Sequence, residues 1–398
     1  MKICLVHNAY GRVSGEEIVV QNLQRLLEAH CHRVVTFFRS SQEINEMTFG
    51  KARAFFSGIY NPAAARAFRR LLAIDAPDIV HIHNVFPLIS PAVLGECRAA
   101  GIPVVMTVHN YRLVCPNGLQ MRDGHACQEC CGGREYRCVV HRCEGSVCKS
   151  LGYALRNAVA RKLRFFDDNV TLYAALSEFQ RGRLIDAGFN ADRIVVIPNM
   201  VDGTPPPLPH HDGSYVGYVG RISPEKDVPT LLAAARQTPA IPFRAAGSYA
   251  GLPELPCRAP ANFQFLGHVP HEKLGAFYDD ARLMVLTSNC FEGFPTVLAE
   301  AMLHGKPVVC SRIGGLPEIV DDGRTGLLFK PGSAAELARK IRYFWDHPSA
   351  CRRMGECGRT KSLREYSPDT YYRHLMNLYD KALCLGPGGP PRTVTRLA

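Results

Sequence analysis

Residues 283–300 read LMVLTSNCFEGFPTVLAE, an apolar run that is followed by a loop and then by a helical segment. A short, nearly continuous apolar run is typical of a strand buried on both faces of a parallel sheet. Ligands bind such sheets beyond the carboxyl ends of the strands, so the loop at 289–294 lies where a ligand is expected. Pro295 suits the first turn of the following helix, because the N–H that proline lacks has no partner there.

The same alternation of apolar runs and helical segments extends along the whole chain, and 398 residues are too many for one core of ordinary size. Helical patterns fall at 16–30, 227–237, 271–281, 295–304 and 333–345. We therefore expect an α/β fold with two Rossmann-like domains, whose parallel sheets face each other across a cleft. The predicted strands are 2–7, 33–38, 78–84, 103–110, 171–177, 193–199, 214–220, 243–247, 263–267, 283–288, 307–311 and 326–330.

The domain boundary is predicted in the stretch DGTPPPLPHHDGS, where three consecutive prolines exclude a helix or a central strand. The N-terminal domain then covers 1–201, with an insertion rich in cysteine at 115–148. The predicted linker is 202–213 and the predicted C-terminal domain is 214–366. A last helix is expected at 367–385, and the tail 386–398 is expected to be disordered.

The N-terminus, MKICLVHNAYG, turns polar after a few apolar residues, so we interpret it as a first strand and not as a signal peptide. No apolar run approaches the roughly 18 residues of a membrane-spanning helix. The expected location is the cytoplasm. The net charge of +11 favours anionic partners: nucleotides, sugar phosphates, nucleic acid or an acidic membrane face.

Two sets of residues at predicted strand ends point to phosphate chemistry. Gly293 allows close approach of the backbone, and the free N–H groups that open the next helix attract a phosphate. Glu292 would lie beside the group that the phosphate carries, and Glu300, further along the helix, could reach a ribose. Arg221 and Lys226 follow the strand at 214–220 and could neutralise a pyrophosphate.

Together with the run GGLPEIVDDGRTG at 314–326, these residues resemble the retaining nucleotide-sugar glycosyltransferases of family 4, which have the GT-B fold. The resemblance extends to about residue 384 and implies that the last helix crosses back to the N-terminal domain. It implies donor contacts from Gly15, Arg221, Lys226, Glu292, Gly293, Phe294, Pro295, Thr296 and Glu300. It also implies a histidine at the reaction centre, His109, so the expected catalytic set is His109, Arg221, Lys226 and Glu292.

The chain departs from the family pattern at two positions. Ser14 precedes Gly15 in the stretch GRVSGEE, where the family often has two glycines, and Asp227 stands where the family commonly has glycine. Both departures fall in segments that the resemblance places near the donor phosphates.

Seven cysteines crowd into residues 115–148. Cys115, Cys127, Cys130 and Cys143 have a spacing that fits a structural zinc site. A disulfide cluster and free thiols without metal remain alternatives, although a reducing cytosol disfavours disulfides.

The sequence thus predicts an enzyme that moves a sugar from a nucleotide-diphosphate-sugar donor to a sugar or lipid-linked acceptor, with no cofactor for catalysis. Peripheral contact with an anionic membrane at the cytosolic face is a further expectation. Two alternatives stay open: a nucleotide-sugar epimerase of the same fold and a zinc-containing nucleic-acid-binding protein. The chain lacks the repeated finger motifs and the aromatic content that the second alternative favours.

Overall fold

The computed structural model describes residues 1–11, 15–201, 207 and 212–388. Most of the predicted linker (202–206 and 208–211) and most of the predicted disordered tail (389–398) lie outside the described residues.

The twelve predicted strands are all present, with ends shifted by a few residues, and a short hairpin adds two more. The strands are β1 Lys2–Ala9, β2 Arg33–Ser40, β3 Ile79–Asn84, β4 Val104–Val108, β5 Met121–Arg122, β6 His125–Ala126, β7 Leu172–Ala175, β8 Ile194–Val196, β9 Tyr215–Val219, β10 Phe243–Ala246, β11 Phe263–Gly267, β12 Ala281–Leu286, β13 Val308–Ser311 and β14 Gly326–Phe329.

Helices alternate with these strands. They are α1 Gly15–Ala29, α2 Glu43–Glu46, α3 Gly50–Ile59, α4 Pro62–Asp75, α5 Ala92–Ala99, α6 Tyr136–Val140, α7 Val147–Lys162, α8 Phe165–Asn169, α9 Glu178–Asp186, α10 Val228–Arg236, α11 His271–Asp280, α12 Thr296–Leu303, α13 Leu316–Ile319, α14 Ala334–Asp346, α15 Pro348–Glu365 and α16 Pro368–Leu385. Among the described residues, no helix combines the length and the apolar character that crossing a bilayer requires.

The chain forms two compact units. Unit 1 comprises the described residues within Met1–Gln120, Gln128–Pro198 and Tyr371–Ala398. Its sheet has the order β2-β1-β3-β4-β7-β8, and every described pair of neighbouring strands is parallel. The central strands β3 and β4 are buried along their whole length, as the continuous apolar runs predicted.

Unit 2 comprises Met121–Cys127 and Asn199–Thr370. Its sheet has the order β11-β10-β9-β12-β13-β14, again with parallel neighbours. In each sheet the chain builds outward from its first strand on one side and then returns to build on the other. The order therefore reverses between β1 and β3 in unit 1 and between β9 and β12 in unit 2, and such switch points are where doubly wound sheets bind ligands.

The predicted crossing of the last helix is confirmed, because α16 from Tyr371 onward packs within unit 1. Two of its tyrosines bond to histidines of that unit. The Tyr379 hydroxyl lies 2.7 Å from His81 Nδ1, and the Tyr372 hydroxyl lies 2.7 Å from His32 Nε2.

Helix α15 was not predicted, because it lacks a regular apolar stripe and packs through small residues. Its main partner is α12. A Cβ on Gly355 would lie 1.9 Å from the Gly305 carbonyl oxygen, so only glycine permits this approach. Glycine permits this packing because it has no side chain, so the contact leaves no signal in the pattern of apolar residues.

We expect Gly355→Ala to lower the free energy of unfolding by about 1–3 kcal/mol, since the backbone of α15 must move away from Gly305. Gly182→Ala in α9 is the matched control, because no atom lies within 4 Å of the added Cβ. The control should be neutral or slightly stabilising. Thermal unfolding of both variants checks this, and equal stability of Gly355→Ala and Gly182→Ala would contradict the packing.

Candidate active site

The predicted donor residues of unit 2 gather at its switch point. Arg221 and Lys226 follow β9, and Glu292 lies in the loop that follows β12. Because β9 and β12 are neighbours in the sheet, their carboxyl ends bring these three side chains into electrostatic contact.

The Lys226–Glu292 ion pair forms the largely buried centre of this cluster, with the two side chains 16% and 13% exposed. Lys226 Nζ donates to Glu292 Oε1 at 2.5 Å, and the Ser288 hydroxyl donates to the same oxygen at 2.5 Å. Burial disfavours both charges, but the attraction between them outweighs it. The pKa of Lys226 is therefore raised and the pKa of Glu292 is lowered, so both groups are ionised at neutral pH.

Arg221 is the accessible cation of the cluster. Its side chain is about half exposed, and Nη2 donates to Glu225 Oε1 at 2.9 Å. Glu225 is held in turn, since the Asn289 N–H donates to its carbonyl oxygen at 3.1 Å. The cluster thus has one solvent-facing guanidinium beside a buried ammonium.

The backbone around Lys226 fits the family pattern. The Thr287 hydroxyl donates to the Lys226 carbonyl at 2.7 Å, which joins the ends of β9 and β12. Asp227 has a φ of 46°, in the left-handed region that glycine adopts without strain. This conformation explains why glycine is common at the equivalent position.

The glycine turn after β13 supports the loop that carries Glu292. The Gly315 N–H donates to the Glu292 carbonyl at 2.9 Å. Gly314 has a φ of 60°, and a Cβ there would lie 2.7 Å from the Glu292 nitrogen. The GG pair of the sequence motif therefore lets the β13 turn pack directly against the Glu292 backbone.

The helix that follows the loop begins one residue later than predicted. Pro295 is the N-cap with extended backbone and α12 starts at Thr296, so the prediction of Pro295 inside the first turn was wrong by one position.

Phe294 is buried and makes an edge contact with Tyr366. Gly293 lies between Phe294 and Glu292 in the loop. Glu300, further along α12, accepts a hydrogen bond from the Tyr278 hydroxyl at 2.7 Å. Glu292 is instead held by Lys226 and Ser288, so the two glutamates have separate partners.

In unit 1 the predicted reaction-centre histidine is paired with a second histidine. His109 Nε2 lies 2.8 Å from His83 Nδ1, and the two rings stack. Burial lowers the pKa of both rings, that of His109 to about 3, so both are neutral and one donates to the other. His81, on the same strand as His83, continues the group and bonds to Thr107.

A buried carboxyl that sequence reasoning did not single out lies beside this group. The Tyr10 hydroxyl donates to Glu16 Oε2 at 2.8 Å, and the Asn110 amide reaches the same oxygen at 3.5 Å. Burial raises the pKa of Glu16 to about 7, although Arg112 and the Tyr10 hydrogen bond oppose this. Gly15 immediately precedes Glu16 and begins α1, while Arg12, Val13 and Ser14 of the predicted glycine loop lie outside the described residues.

Unit 1 contains two cavities that share part of their lining, and the smaller one includes His109. A small one includes His83, His109 and Asn110 in its lining. A larger one, of about 370 Å³, extends beneath α7 and the cysteine-rich segment. Both are lined by Phe86, Arg112 and Leu113.

Of the four cysteines of the predicted zinc set, two contact each other, Cys115 and Cys130. Cys115 and Cys130 form a thiol–thiol hydrogen bond, which together with backbone donors lowers the pKa of Cys115 to about 7 despite burial. The Cys143 thiol forms a hydrogen bond with the thiol of Cys138, and Cys138 was not in the predicted set. Cys127 belongs to the segment Met121–Cys127, which clusters with unit 2.

The predicted zinc ligands do not fit a metal site in this arrangement. In the described part of the chain, no three His, Cys, Asp or Glu side chains are placed to hold a metal ion, and all sixteen cysteines are free thiols. Zinc binding stays a prediction, and no step of the chemistry below depends on it.

Comparison with known sequences identifies the family. Residues 13–204 match the family model described as "Glycosyltransferase Family 4", and residues 205–361 match "Glycosyl transferases group 1". The two matches are consecutive, and together they span residues 13–361, which include most of both units. The chain belongs to the glycosyltransferases of family 4, and it is a transferase with the GT-B fold.

Individual relatives agree with this assignment. The glycogen synthase of Mycobacterium tuberculosis H37Rv is 26% identical over 363 residues, which are 87% of this chain and 80% of that protein. Anabaena Alr3699/HepE, solved in complex with UDP and glucose, has a TM-score of 0.66 at 19% identity, with 96% of this chain and 99% of that chain covered. Sucrose-phosphate synthase from Thermosynechococcus elongatus has a TM-score of 0.71, also at 19% identity and with the same coverage. At these identities the structures establish the fold alone.

We expect Lys226→Ala to lower the free energy of unfolding by about 3–5 kcal/mol, because it leaves the buried Glu292 carboxylate without its cation. The double variant Lys226→Ala/Glu292→Ala should lose less than the sum of the two single variants, since it removes both charges. Denaturant unfolding of the three variants measures this coupling.

Lys340→Ala is the matched control, because Lys340 pairs with Glu336 across one turn of α14 in a more exposed setting. It should cost less than about 1 kcal/mol. Additive losses for Lys226 and Glu292 would show that the pair is not coupled in the folded protein.

The raised pKa of Glu16 predicts a pH dependence of stability. The carboxyl stays protonated in the folded state up to about pH 7, whereas in the unfolded chain it ionises near its ordinary pKa of 4.5. The resulting stabilisation is present at low pH and is lost as the pH rises through 7. Glu16→Gln should therefore gain in melting temperature relative to wild type between pH 5 and pH 8. The same gain from Glu17→Gln, the adjacent control, would show that Glu16 is not the responsible group.

Proposed function

We propose that this chain is a retaining glycosyltransferase that transfers a sugar from a nucleotide-diphosphate sugar to an acceptor hydroxyl. The Lys226–Glu292 pair carries the proposal, because a buried ammonium and a carboxylate meet beside an accessible arginine at the switch point of the unit 2 sheet. A diphosphate joined to a polyhydroxylated sugar needs this combination of cations and a hydrogen-bond acceptor.

The donor class is supported by related structures. Alr3699/HepE was solved with UDP-glucose as well as with UDP. We therefore take a uridine-diphosphate sugar as the first donor to test.

Each residue of the cluster has a distinct proposed role. Arg221 and Lys226 bind the diphosphate, and Glu292 accepts hydrogen bonds from sugar hydroxyls, with help from the N–H groups of Gly293 and Phe294. Pro295 and Thr296 open the helix that faces the phosphate, and Glu300 binds the ribose. Gly15 contributes to the loop near the donor phosphates.

The reaction breaks the bond between the anomeric carbon and the diphosphate oxygen, and the electron pair leaves with the oxygen. The acceptor oxygen forms the new bond on the same face of the sugar, and its proton passes to the departing phosphate. Arg221, Lys226 and the N-terminus of α12 supply the positive charge that stabilises this leaving group. These groups let the chemistry proceed without a metal ion.

The acceptor is assigned to unit 1. His109 lines a cavity that shares Phe86, Arg112 and Leu113 with the larger cavity beneath α7. A neutral His109 can accept or donate a hydrogen bond at an acceptor hydroxyl without adding charge. A sugar or lipid-linked acceptor, presented at an anionic membrane surface, completes the proposal.

We expect UDP-glucose or another UDP-sugar to raise the melting temperature of the wild-type protein and to be slowly hydrolysed. Arg221→Ala should still fold, because the Arg221 side chain is 48% exposed, but it should lose some stability since the Glu225 carboxylate, which is 10% exposed, loses its cation. The variant should lose at least about tenfold in donor affinity, since a charged hydrogen bond to phosphate is removed. Arg339→Ala, which changes an exposed arginine on α14, is the matched control and should bind the donor as wild type does.

Incubation with the donor alone and a DNA-binding assay test the two alternative functions. Isomerised sugar recovered after incubation with the donor alone would indicate an epimerase. Tight, salt-sensitive DNA binding without any response to nucleotide sugars would contradict the proposed function.

A further inference from the structure

Helix α7 exposes an apolar stripe to solvent. Val147, Leu151 and Leu155 are spaced four residues apart, so they lie on one face of the helix. Their exposed fractions are 46%, 47% and 40%. The opposite face of α7, which includes Arg156 and Ala160, is buried, so the exposed stripe belongs to a helix with one buried side and one exposed side.

Two further helices of unit 1 pack beside α7 and extend this apolar surface. Helix α3 approaches at Gly152, where a Cβ would lie 2.6 Å from the Phe55 ring. Helix α6 packs through Cys138 against Ala154. Each neighbour exposes large apolar side chains of its own: Phe56 on α3, and Tyr136 and Val140 on α6. We call the set Phe56, Tyr136, Val140, Val147, Leu151 and Leu155 the α7 face.

The segment that carries most of this face is strongly basic. Residues 131–164 contain eight lysines and arginines and only two acidic residues. Both acids are already paired, Glu135 with Arg161 and Glu144 with Lys149. Of the other surface cations of the segment, Arg164 pairs with Asp167 and Asp168. Among the described residues, no ion pair involves the other four, which are Arg134, Arg137, Arg142 and Lys162.

We propose that the α7 face docks unit 1 on an anionic lipid bilayer. An apolar stripe flanked by lysine and arginine is the pattern of a helix that lies in the interface and buries its apolar side among the acyl chains. The unpaired cations would meet acidic head groups, each adding to the attraction. Helix α7 has sixteen residues and several charges, so it lies along the surface and does not cross the membrane.

The positive charge beside the α7 face favours an anionic bilayer over an uncharged apolar partner. A purely apolar docking site gains nothing from four unpaired cations at its edge, and burying them without counter-charges would be costly. This inference deepens the membrane contact that forms part of the proposed function. It assigns that contact to a defined surface.

The test is vesicle flotation with the full chain and no nucleotide sugar. Wild type should bind vesicles of phosphatidylcholine mixed with phosphatidylglycerol and not vesicles of phosphatidylcholine alone, and added salt should weaken the binding. The triple variant Val147→Ser/Leu151→Ser/Leu155→Ser should lose at least about tenfold in partitioning. The double variant Arg142→Glu/Lys162→Glu should lose binding to the anionic vesicles as well.

The matched control changes three exposed aliphatic residues elsewhere, Ile74, Leu363 and Leu383, to serine. It should bind as wild type does, and the melting temperatures of all variants should match that of wild type. Equal binding by the stripe variant and the control would overturn the proposal, as would wild-type binding that does not depend on phosphatidylglycerol. A stripe variant that only changes a dimer to a monomer would show that the face is covered by a second copy.

Because no donor is present, this result is independent of the catalytic assignment. Failure of flotation leaves donor stabilisation by UDP-sugars unaffected. Failure of donor binding likewise leaves the lipid result standing.

Discussion

A largely buried ion pair at the switch point of one sheet constrains the rest of the cluster that we propose as the donor site. Lys226 and Glu292 come from segments that are 66 residues apart, and neither charge could stay buried without the other. The Ser288 hydroxyl, the β13 glycine turn and the bond from Thr287 all serve to keep these two segments in register. Because β9 and β12 pair in parallel, both segments leave the sheet at the same edge, where Lys226 and Glu292 can meet.

The pair has a consequence for binding, because both cations of the cluster already have carboxylate partners. In the proposed function, a diphosphate that reaches Arg221 competes with the Glu225 contact, in which the guanidinium is half exposed and the carboxylate is largely buried. At Lys226 the diphosphate must share an ammonium with Glu292, and the ammonium has three donors. Glu292 can therefore keep one of them while its other oxygen turns to sugar hydroxyls. In the proposed function, the pair positions the lysine before the donor arrives, which reduces the reorganisation that binding requires.

Sequence reasoning succeeded where periodicity and strand ends carry the information. The β12 run, its loop and α12 follow from an apolar stretch and a proline, and the adjacency of Arg221, Lys226 and Glu292 follows from the rule that parallel strands end at one edge. It failed where a contact depends on tertiary packing. Helix α15 packs through glycine, the His83–His109 pair joins two strands, and Glu16 becomes unusual only through burial. The spacing of Cys115, Cys127, Cys130 and Cys143 gave no indication that Cys138 would be the partner of Cys143.

The central claim is that Lys226 binds the diphosphate of the donor and does not merely neutralise Glu292 within unit 2. Calorimetric titration with UDP of the double variant Lys226→Met/Glu292→Met tests it most directly, because this change removes both charges and leaves no buried charge unpaired. The account predicts a variant that unfolds at a temperature close to that of wild type but binds UDP at least about a hundredfold more weakly. A folded variant with the affinity of the wild-type protein would contradict it.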